Sequence, residues 1–133
     1  MKSAVDSSII LDILLDDPKH AEKSIDLLEH HLLHGPVIIC PVAYCESAAS
    51  LYPPVKFSKI ARQMGLVYND FDHDICTLAA QMWRDYRFQG GPRQRVLADF
   101  LIGAHAIRRA DCLISRDRGF FRGYFQGLEV VSP

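Results

Sequence analysis

The sequence lacks the features that would tie it to a membrane or to an oxidising compartment. Its four cysteines form no C-x-x-C pair, and no apolar run approaches the roughly 20 residues of a membrane-spanning helix. Asp12 interrupts the first apolar run, residues 9–15, and no small-residue cleavage site follows, which argues against a signal peptide. These absences predict a cytoplasmic protein with reduced thiols. Cys40, Cys76 and Cys112 lie in or beside apolar runs and are expected to be buried.

Lysine is absent after Lys59, so every cation in the last part of the chain is an arginine. Residues 80–133 contain nine arginines and five acids, whereas residues 1–79 contain six basic and 11 acidic side chains. Arginine binds phosphate through paired hydrogen bonds, so this tract could hold a nucleic-acid backbone. A solvated surface explains the same charges equally well, and the net charge of −1 indicates no partner.

The chain also has no P-loop, no internal repeat and no low-complexity segment. A length of 133 residues, 49% of them hydrophobic, predicts a single globular domain covering residues 1–133. Five short apolar runs are predicted to be β-strands: residues 4–6, 37–40, 66–68, 112–115 and 128–131. Helical patterns lie between them. This alternation predicts an α/β fold in which a mostly parallel sheet of four or five strands has helices on both faces.

Three acids map to the carboxyl-terminal edge of that sheet, where open α/β sheets bind their ligands. Asp6 closes the first strand, Asp117 follows the fourth, and Glu46 lies in the helix after the second. Each has a simpler explanation when it is taken alone. Asp6 could cap a helix, Glu46 could face water or pair with a lysine, and Asp117 could be a turn residue.

Asp99 is harder to explain, because it interrupts an apolar helix predicted over residues 94–109. Helical spacing places Arg95 and Gly103 on the same face, one turn to either side. Gly103 would then leave space beside the carboxylate. The alternative is a structural ion pair between Asp99 and Arg95.

The four acids together indicate more than each does alone. Carboxylates gathered at one edge repel each other, and their pKa values rise unless a cation lies among them. Oxygen-only ligands suit Mg²⁺ or Mn²⁺. The pattern therefore predicts a divalent-cation site at the edge of the sheet.

At this point the sequence resembles a known family, the PIN-domain ribonucleases. Four features carry the resemblance: Val-Asp-Ser-Ser at residues 5–8, Glu46, the stretch ADFLIGAHA at 98–106, and SRDRGF at 115–120. The chain length and the Gly-Gly-Pro-Arg stretch at 90–93 are most similar to the VapC toxins of toxin–antitoxin pairs. The resemblance covers the whole chain. Each motif is short, and it is their order and spacing that are specific.

The resemblance implies a three-layer α/β/α sandwich and a metal-dependent endoribonuclease, the toxin of a type II toxin–antitoxin system. The family's acidic site would be Asp6, Glu46, Asp99 and Asp117. Asp6 and Asp99 would bind Mg²⁺ or Mn²⁺ directly, while the other two acids would act through water or hold a second ion. Ser115 would support the site. Gly119 stands where many members carry a further polar or acidic residue.

The resemblance also implies partners. RNA would be the substrate, with its backbone held by four arginines: Arg93, Arg95, Arg116 and Arg118. A VapB-type antitoxin would neutralise the toxin, which would form a homodimer and, with antitoxin, a heterotetramer or larger assembly. No membrane partner is expected.

Three alternatives remain. A housekeeping PIN nuclease in RNA processing would have no antitoxin. A phospho-receiver domain also uses acids at strand ends, but it would have an acid next to Asp6 and a lysine near the last strand, and both are missing. A non-catalytic binding domain would not need all four acids.

Overall fold

The protein is described from a computed structural model, which covers residues 1–91 and 95–133. Five strands form one parallel sheet: β1 (Ser3–Val5), β2 (Val37–Ile39), β3 (Leu66–Tyr68), β4 (Cys112–Ile114) and β5 (Glu129–Val131). Seven helices lie within the described residues: α1 (Ser7–Leu14), α2 (Ala21–His34), α3 (Pro41–Ala48), α4 (Lys56–Gln63), α5 (His73–Phe88), α6 (Leu97–Arg109) and α7 (Arg118–Tyr124). The predicted α/β/α fold is confirmed.

The hydrophobic pattern of each strand matches its place in the sheet, whose strand order is β3-β2-β1-β4-β5. Every residue of β1, β2 and β4 is buried, because helices cover both faces of a central parallel strand. Strand β3 lies at one edge and exposes Val67 and Tyr68.

The strand order reverses beside β1, and this reversal positions the site. From β1 the chain moves outward through β2 and β3, and it later returns to place β4 on the other side of β1. Ser3 of β1 is in register with Val37 of β2 and with Cys112 of β4. A reversal of this kind leaves a crevice beyond the carboxyl ends of the central strands. Asp6 follows β1 and Asp117 follows β4, so the crevice lies between them.

Two helix starts differ from the predicted ones, because the sequence indicates Ser7 or Ser8 as the cap of the first helix and Pro18 in the first turn of the second. Helix α1 begins at Ser7, and Asp6 occupies the N-cap position without a side-chain capping bond, so the prediction of a serine cap is wrong. Helix α2 begins at Ala21 rather than near Pro18, because the Asp17 carboxylate accepts hydrogen bonds from the backbone N–H groups of Lys19 and His20. These bonds form a separate turn before the helix.

The start of α6 changes the interpretation of Asp99. The helix begins at Leu97, so Arg95 precedes it and does not share a helical face with Asp99, as had been expected; residues 92–94 lie outside the described part. Asp99 lies in the first turn, where its Oδ2 accepts a hydrogen bond from the Val96 N–H at 3.1 Å. A carboxylate is favourable there because the amino end of a helix carries partial positive charge.

Gly103 does not leave space beside Asp99, which corrects a second expectation. A Cβ atom on Gly103 would lie 2.3 Å from the ring of Phe125, which is 1% exposed. Gly103 therefore allows an aromatic ring to pack directly on the backbone of α6. Phe125 belongs to a cluster of rings that also contains Phe100 and Phe120.

The Gly103 contact can be tested by substitution. We expect Gly103→Ala to lower the free energy of unfolding by about 1–3 kcal/mol, because the added methyl group must displace a buried ring. Gly123→Ala is the matched control: a Cβ there meets nothing within 4 Å, and alanine favours the helix. Urea unfolding of both variants provides the measurement. Equal unfolding midpoints for the two would contradict this packing.

The cysteines match the prediction in part. All four are free; Cys40 and Cys112 are buried, while Cys45 and Cys76 are exposed. The expected burial of Cys76 is wrong, because Cys76 lies outside the buried face of α5, which consists of Ile75, Ala79 and Tyr86. Among the described helices, none has the length and apolar character needed to cross a membrane.

Candidate active site

Asp6 is a buried carboxylate at the end of the central strand, with 6% of its surface exposed. Its Oδ2 accepts hydrogen bonds from the Ser115 hydroxyl at 2.7 Å and the Ser8 hydroxyl at 2.9 Å. Burial raises the pKa of Asp6, the hydroxyls oppose that shift, and the charge of Asp117 adds to it. No cation pairs with Asp6 within residues 1–91 and 95–133. The Asp6 carboxylate is thus held in place by two hydroxyl groups, and no cation of the described residues neutralises its charge.

Glu46 projects from α3 toward the same edge. Its Oε1 accepts a hydrogen bond from the Ser7 hydroxyl at 2.9 Å. Although solvent reaches much of the side chain, loss of water around the carboxyl raises the pKa of Glu46, and the charges of Asp6 and Asp99 raise it further. Asp6 at the end of β1 and Asp99 on α6 are therefore the two acids whose charges act on Glu46.

Asp117 is paired with Arg95. The guanidinium of Arg95 donates to both carboxylate oxygens, through Nη1 to Oδ2 and through Nη2 to Oδ1 at 3.2 Å. The same guanidinium lies 4.3 Å from the centre of the Phe120 ring. The hydrogen bond to Asp117 raises the pKa of Arg95 above its usual value. Arg95 therefore neutralises Asp117 rather than Asp99.

Serine hydroxyls connect the acids. The Ser115 hydroxyl donates to Asp6 and accepts from the Asp117 N–H at 2.9 Å, so it joins the ends of β1 and β4. Ser7 and Ser8, next to Asp6 in sequence, orient Glu46 and Asp6 in turn. The sequence predicted for these two serines only the role of a helix cap, and their contacts to the acids were not predicted. Their position directly after a strand-terminal acid was the signal available.

The acidic side chains of the site suit a divalent ion that keeps several water ligands better than an ion whose ligands all come from the protein. In the part of the chain that is described, no three His, Cys, Asp or Glu groups lie close enough to hold one ion. Mg²⁺, however, usually keeps several waters and binds through one or two carboxylates. The available donors are all oxygen atoms, which such an ion prefers.

The arginines predicted to hold RNA occupy different environments. Arg95 lies in the site, and Arg118 on α7 is exposed, with no ion pair among the described residues. Arg93 lies outside the described residues. Arg108 and Arg109 pair with Asp74 and Asp72, which removes two more cations from the tract.

Arg116 pairs with an acid that the sequence reasoning did not single out. Asp12 on α1 is 2% exposed and accepts hydrogen bonds from Arg116 Nε at 2.7 Å and Nη2 at 2.9 Å. The Ser24 hydroxyl donates to the same carboxylate at 2.7 Å. This network joins α1, α2 and the segment after β4, so Arg116 has a structural role.

Comparison with known proteins decides the family. The family model described as PIN domain matches residues 4–126. The chain belongs to the PIN domain family. The resemblance found in the sequence is confirmed at this level, and the match spans all four acids of the site.

Solved structures similar to this PIN domain include three that cover nearly the whole chain. VapBC2 from Rickettsia felis, bound to a promoter DNA fragment, has a TM-score of 0.76 at 17% identity and covers 100% of this chain and 99% of its own. VapBC-1 from nontypeable Haemophilus influenzae gives 0.71 at 17% identity, covering 99% and 98%. FitAcB from Neisseria gonorrhoeae gives 0.70 at 18%, covering 96% and 95%. At these identities the likeness establishes the fold.

A search of curated protein sequences found no match to this PIN domain. Its function is therefore argued from the site.

Proposed function

We propose that the protein is a divalent-metal-dependent endoribonuclease and the toxin of a type II toxin–antitoxin pair, acting in the cytoplasm. One observation carries the proposal. Asp6 is a buried carboxylate with a raised pKa and no cation among the described residues, at the strand-order reversal of a PIN domain. A group in this state is typical of a site that binds a cation or transfers protons.

Asp6 and Asp99 are the proposed ligands of the ion, Mg²⁺ or Mn²⁺. Asp6 is fixed by two hydroxyls, and Asp99 is held by the first turn of α6. When bound by these residues, such an ion would polarise the scissile phosphate and lower the pKa of water in the site. The raised pKa of Glu46 makes its carboxylate a stronger base, which suits it to accept a proton from water.

The ion pair between Asp117 and Arg95 has a proposed role in binding the phosphate of the RNA. Their ion pair lies beside the acids and keeps a guanidinium next to the ion site. When RNA binds, that guanidinium can transfer from Asp117 to a phosphate and offset charge on the transition state. Arg118 is the proposed contact to the RNA backbone outside the site, whereas Arg116 is held by Asp12.

The partner follows from the structural neighbours. Similar chains come from assemblies described as VapBC from R. felis and H. influenzae and as a toxin–antitoxin complex from Klebsiella pneumoniae. We therefore propose that a VapB-type antitoxin binds and inhibits this chain, and that the toxin is a homodimer within the assembly.

The nuclease is tested by incubating purified protein with transfer, ribosomal and messenger RNA in Mg²⁺ or Mn²⁺. We expect cleavage that chelator abolishes and that Asp99→Asn reduces at least about 100-fold, because a charged ligand of the ion is lost. Asp26→Asn, an exposed acid on α2, is the matched control and should cleave like the wild type. Cleavage that persists in chelator or in Asp99→Asn would refute the metal site.

The toxin function is tested separately by expression in a bacterial host without antitoxin. Growth arrest with the wild type and normal growth with Asp99→Asn are expected. Normal growth with soluble, RNA-cleaving wild type would favour a housekeeping nuclease instead.

A further inference from the structure

A pocket of about 540 Å³ lies next to the acidic site, and the mechanism above does not use it. Among the described residues its lining comes from the end of α5 and the segment before α6: Trp83, Tyr86, Arg87, Gly90, Gly91, Arg95 and Val96. Two of these residues also belong to the acidic site. Arg95 binds Asp117, and the Val96 N–H donates to Asp99. The pocket therefore borders the acidic site through these two residues.

The turn that closes α5 shapes the pocket. Gly90 has a φ of +75°, a left-handed conformation suited to glycine, and the Gly91 N–H donates to the Tyr86 carbonyl at 3.0 Å. A Cβ on Gly91 would lie 2.6 Å from the Tyr86 ring, so only glycine lets the backbone lie this close to it. Tyr86 is 3% exposed and forms the buried base of the pocket.

The lining combines aromatic surface with positive charge. Trp83 is half-buried, and the guanidinium carbon of Arg87 lies 4.7 Å from the centre of its ring. Arg87 forms no ion pair with an acid among the described residues, so its N–H groups are available to an anion. An aromatic ring with an arginine over one face, as Arg87 lies over Trp83, is a combination that binds the bases and phosphates of single-stranded nucleic acid.

We propose that this pocket binds a nucleotide of the RNA next to the scissile phosphate, with its base against Trp83 and its phosphate at Arg87 and Arg95. The proposal rests on the proposed ribonuclease function and adds the subsite that positions the substrate. Trp83 is then a positioning residue for single-stranded RNA. The pocket volume is within the range of ligand sites.

Trp83 is the only tryptophan of the chain, so its fluorescence reports on the pocket directly. A mixed-sequence, single-stranded hexaribonucleotide is titrated into Asp99→Asn protein in chelator, where no cleavage occurs. We expect saturable quenching by the hexamer and none by pyrophosphate, which has charge but no base. Absence of quenching by the hexamer, or equal quenching by pyrophosphate, would overturn the proposal.

Kinetics on transfer RNA give a second readout. Trp83→Leu should raise KM on the order of 10-fold with little change in kcat, and Trp83→Phe should restore most of the affinity. The matched control is Phe88→Leu. Phe88 pairs with Arg84 on the same helix in the same way, at 4.6 Å, but lies outside the pocket. Circular dichroism checks the fold of each variant; if Trp83→Leu unfolds, Arg87→Ala replaces it as the variant expected to raise KM.

The two proposals fail in different ways. If the wild type cleaves RNA and neither Trp83→Leu nor Arg87→Ala raises KM above that of Phe88→Leu, the subsite is refuted and the nuclease remains. If the hexamer quenches Trp83 but the wild type cleaves no RNA, the subsite remains and the nuclease function is refuted.

Discussion

Asp6→Asn is expected to abolish RNA cleavage and at the same time to raise the melting temperature of the metal-free protein. Activity should fall at least about 100-fold, because asparagine is a poor ligand for a divalent ion. The free energy of unfolding at pH 7 should rise by about 1 kcal/mol, roughly 3–5 °C in melting temperature. Asparagine has nearly the same shape and can still accept hydrogen bonds from Ser8 and Ser115.

The direction of the stability change follows from the raised pKa of Asp6. In the folded protein burial holds the proton of this carboxyl more tightly than in the unfolded chain, where its pKa is near 3.8. The stability that the raised pKa of Asp6 contributes is fully present below the unfolded pKa. It is lost as the pH rises through the higher folded pKa. At neutral pH the buried charge therefore destabilises the fold, and its removal is favourable.

Thermal unfolding in chelator at pH 7 and at pH 4 provides the measurement. The gain from Asp6→Asn should shrink at pH 4, where the wild-type carboxyl retains more of its proton. Asp117→Asn is the control with the opposite sign, because it breaks the ion pair with Arg95. A lower melting temperature for Asp6→Asn at pH 7, or wild-type cleavage, would contradict the assignment of Asp6.

Arg116→Ala is expected to lower the free energy of unfolding by about 3 kcal/mol at pH 7. The substitution leaves the buried Asp12 carboxylate with only the Ser24 hydroxyl as a partner, and an uncompensated buried charge typically costs roughly 3–5 kcal/mol. We expect the lower end of that range because the Arg116 side chain is 37% exposed and partly screened by water.

Arg118→Ala is the matched control for Arg116. It removes a neighbouring arginine without an ion pair in the described part of the chain, so its stability should change by less than about 0.5 kcal/mol. Urea unfolding of both variants, and of Asp12→Asn/Arg116→Ala, provides the measurement. The double variant should regain much of the loss because no buried charge remains. Equal unfolding midpoints for Arg116→Ala and Arg118→Ala would refute the role of the network.

The substitutions Arg116→Ala and Arg118→Ala also distinguish a role in stability from a role in RNA binding. Arg118→Ala should weaken RNA binding while the fold stays intact, and the weakening should be smaller at high salt. Arg116→Ala should affect activity mainly through stability.

The sequence was sufficient to predict the five strands and their alternation with helices. Strands β2 and β4 are nearly continuous runs of Val, Ile, Leu and Cys, and this composition predicts buried parallel strands wherever they lie in the sheet. The acids Asp6 and Asp117 follow β1 and β4 in the chain, so their location at one edge was also predictable. Boundaries were less certain, because the turn at Asp17 and the start of α6 depend on side-chain hydrogen bonds.

Only the tertiary structure decided which side chains of the chain contact each other. Arg95 was expected near Asp99, four residues away, but it pairs with Asp117, 22 residues away. Arg116 binds Asp12 across 104 residues, and Gly103 accommodates Phe125 rather than leaving space beside an acid. Hydrophobic periodicity predicts which residues share a face on neighbouring turns of one helix. Ion pairs and ring packing depend instead on the strand order, which placed β4 beside β1 and brought distant side chains into contact.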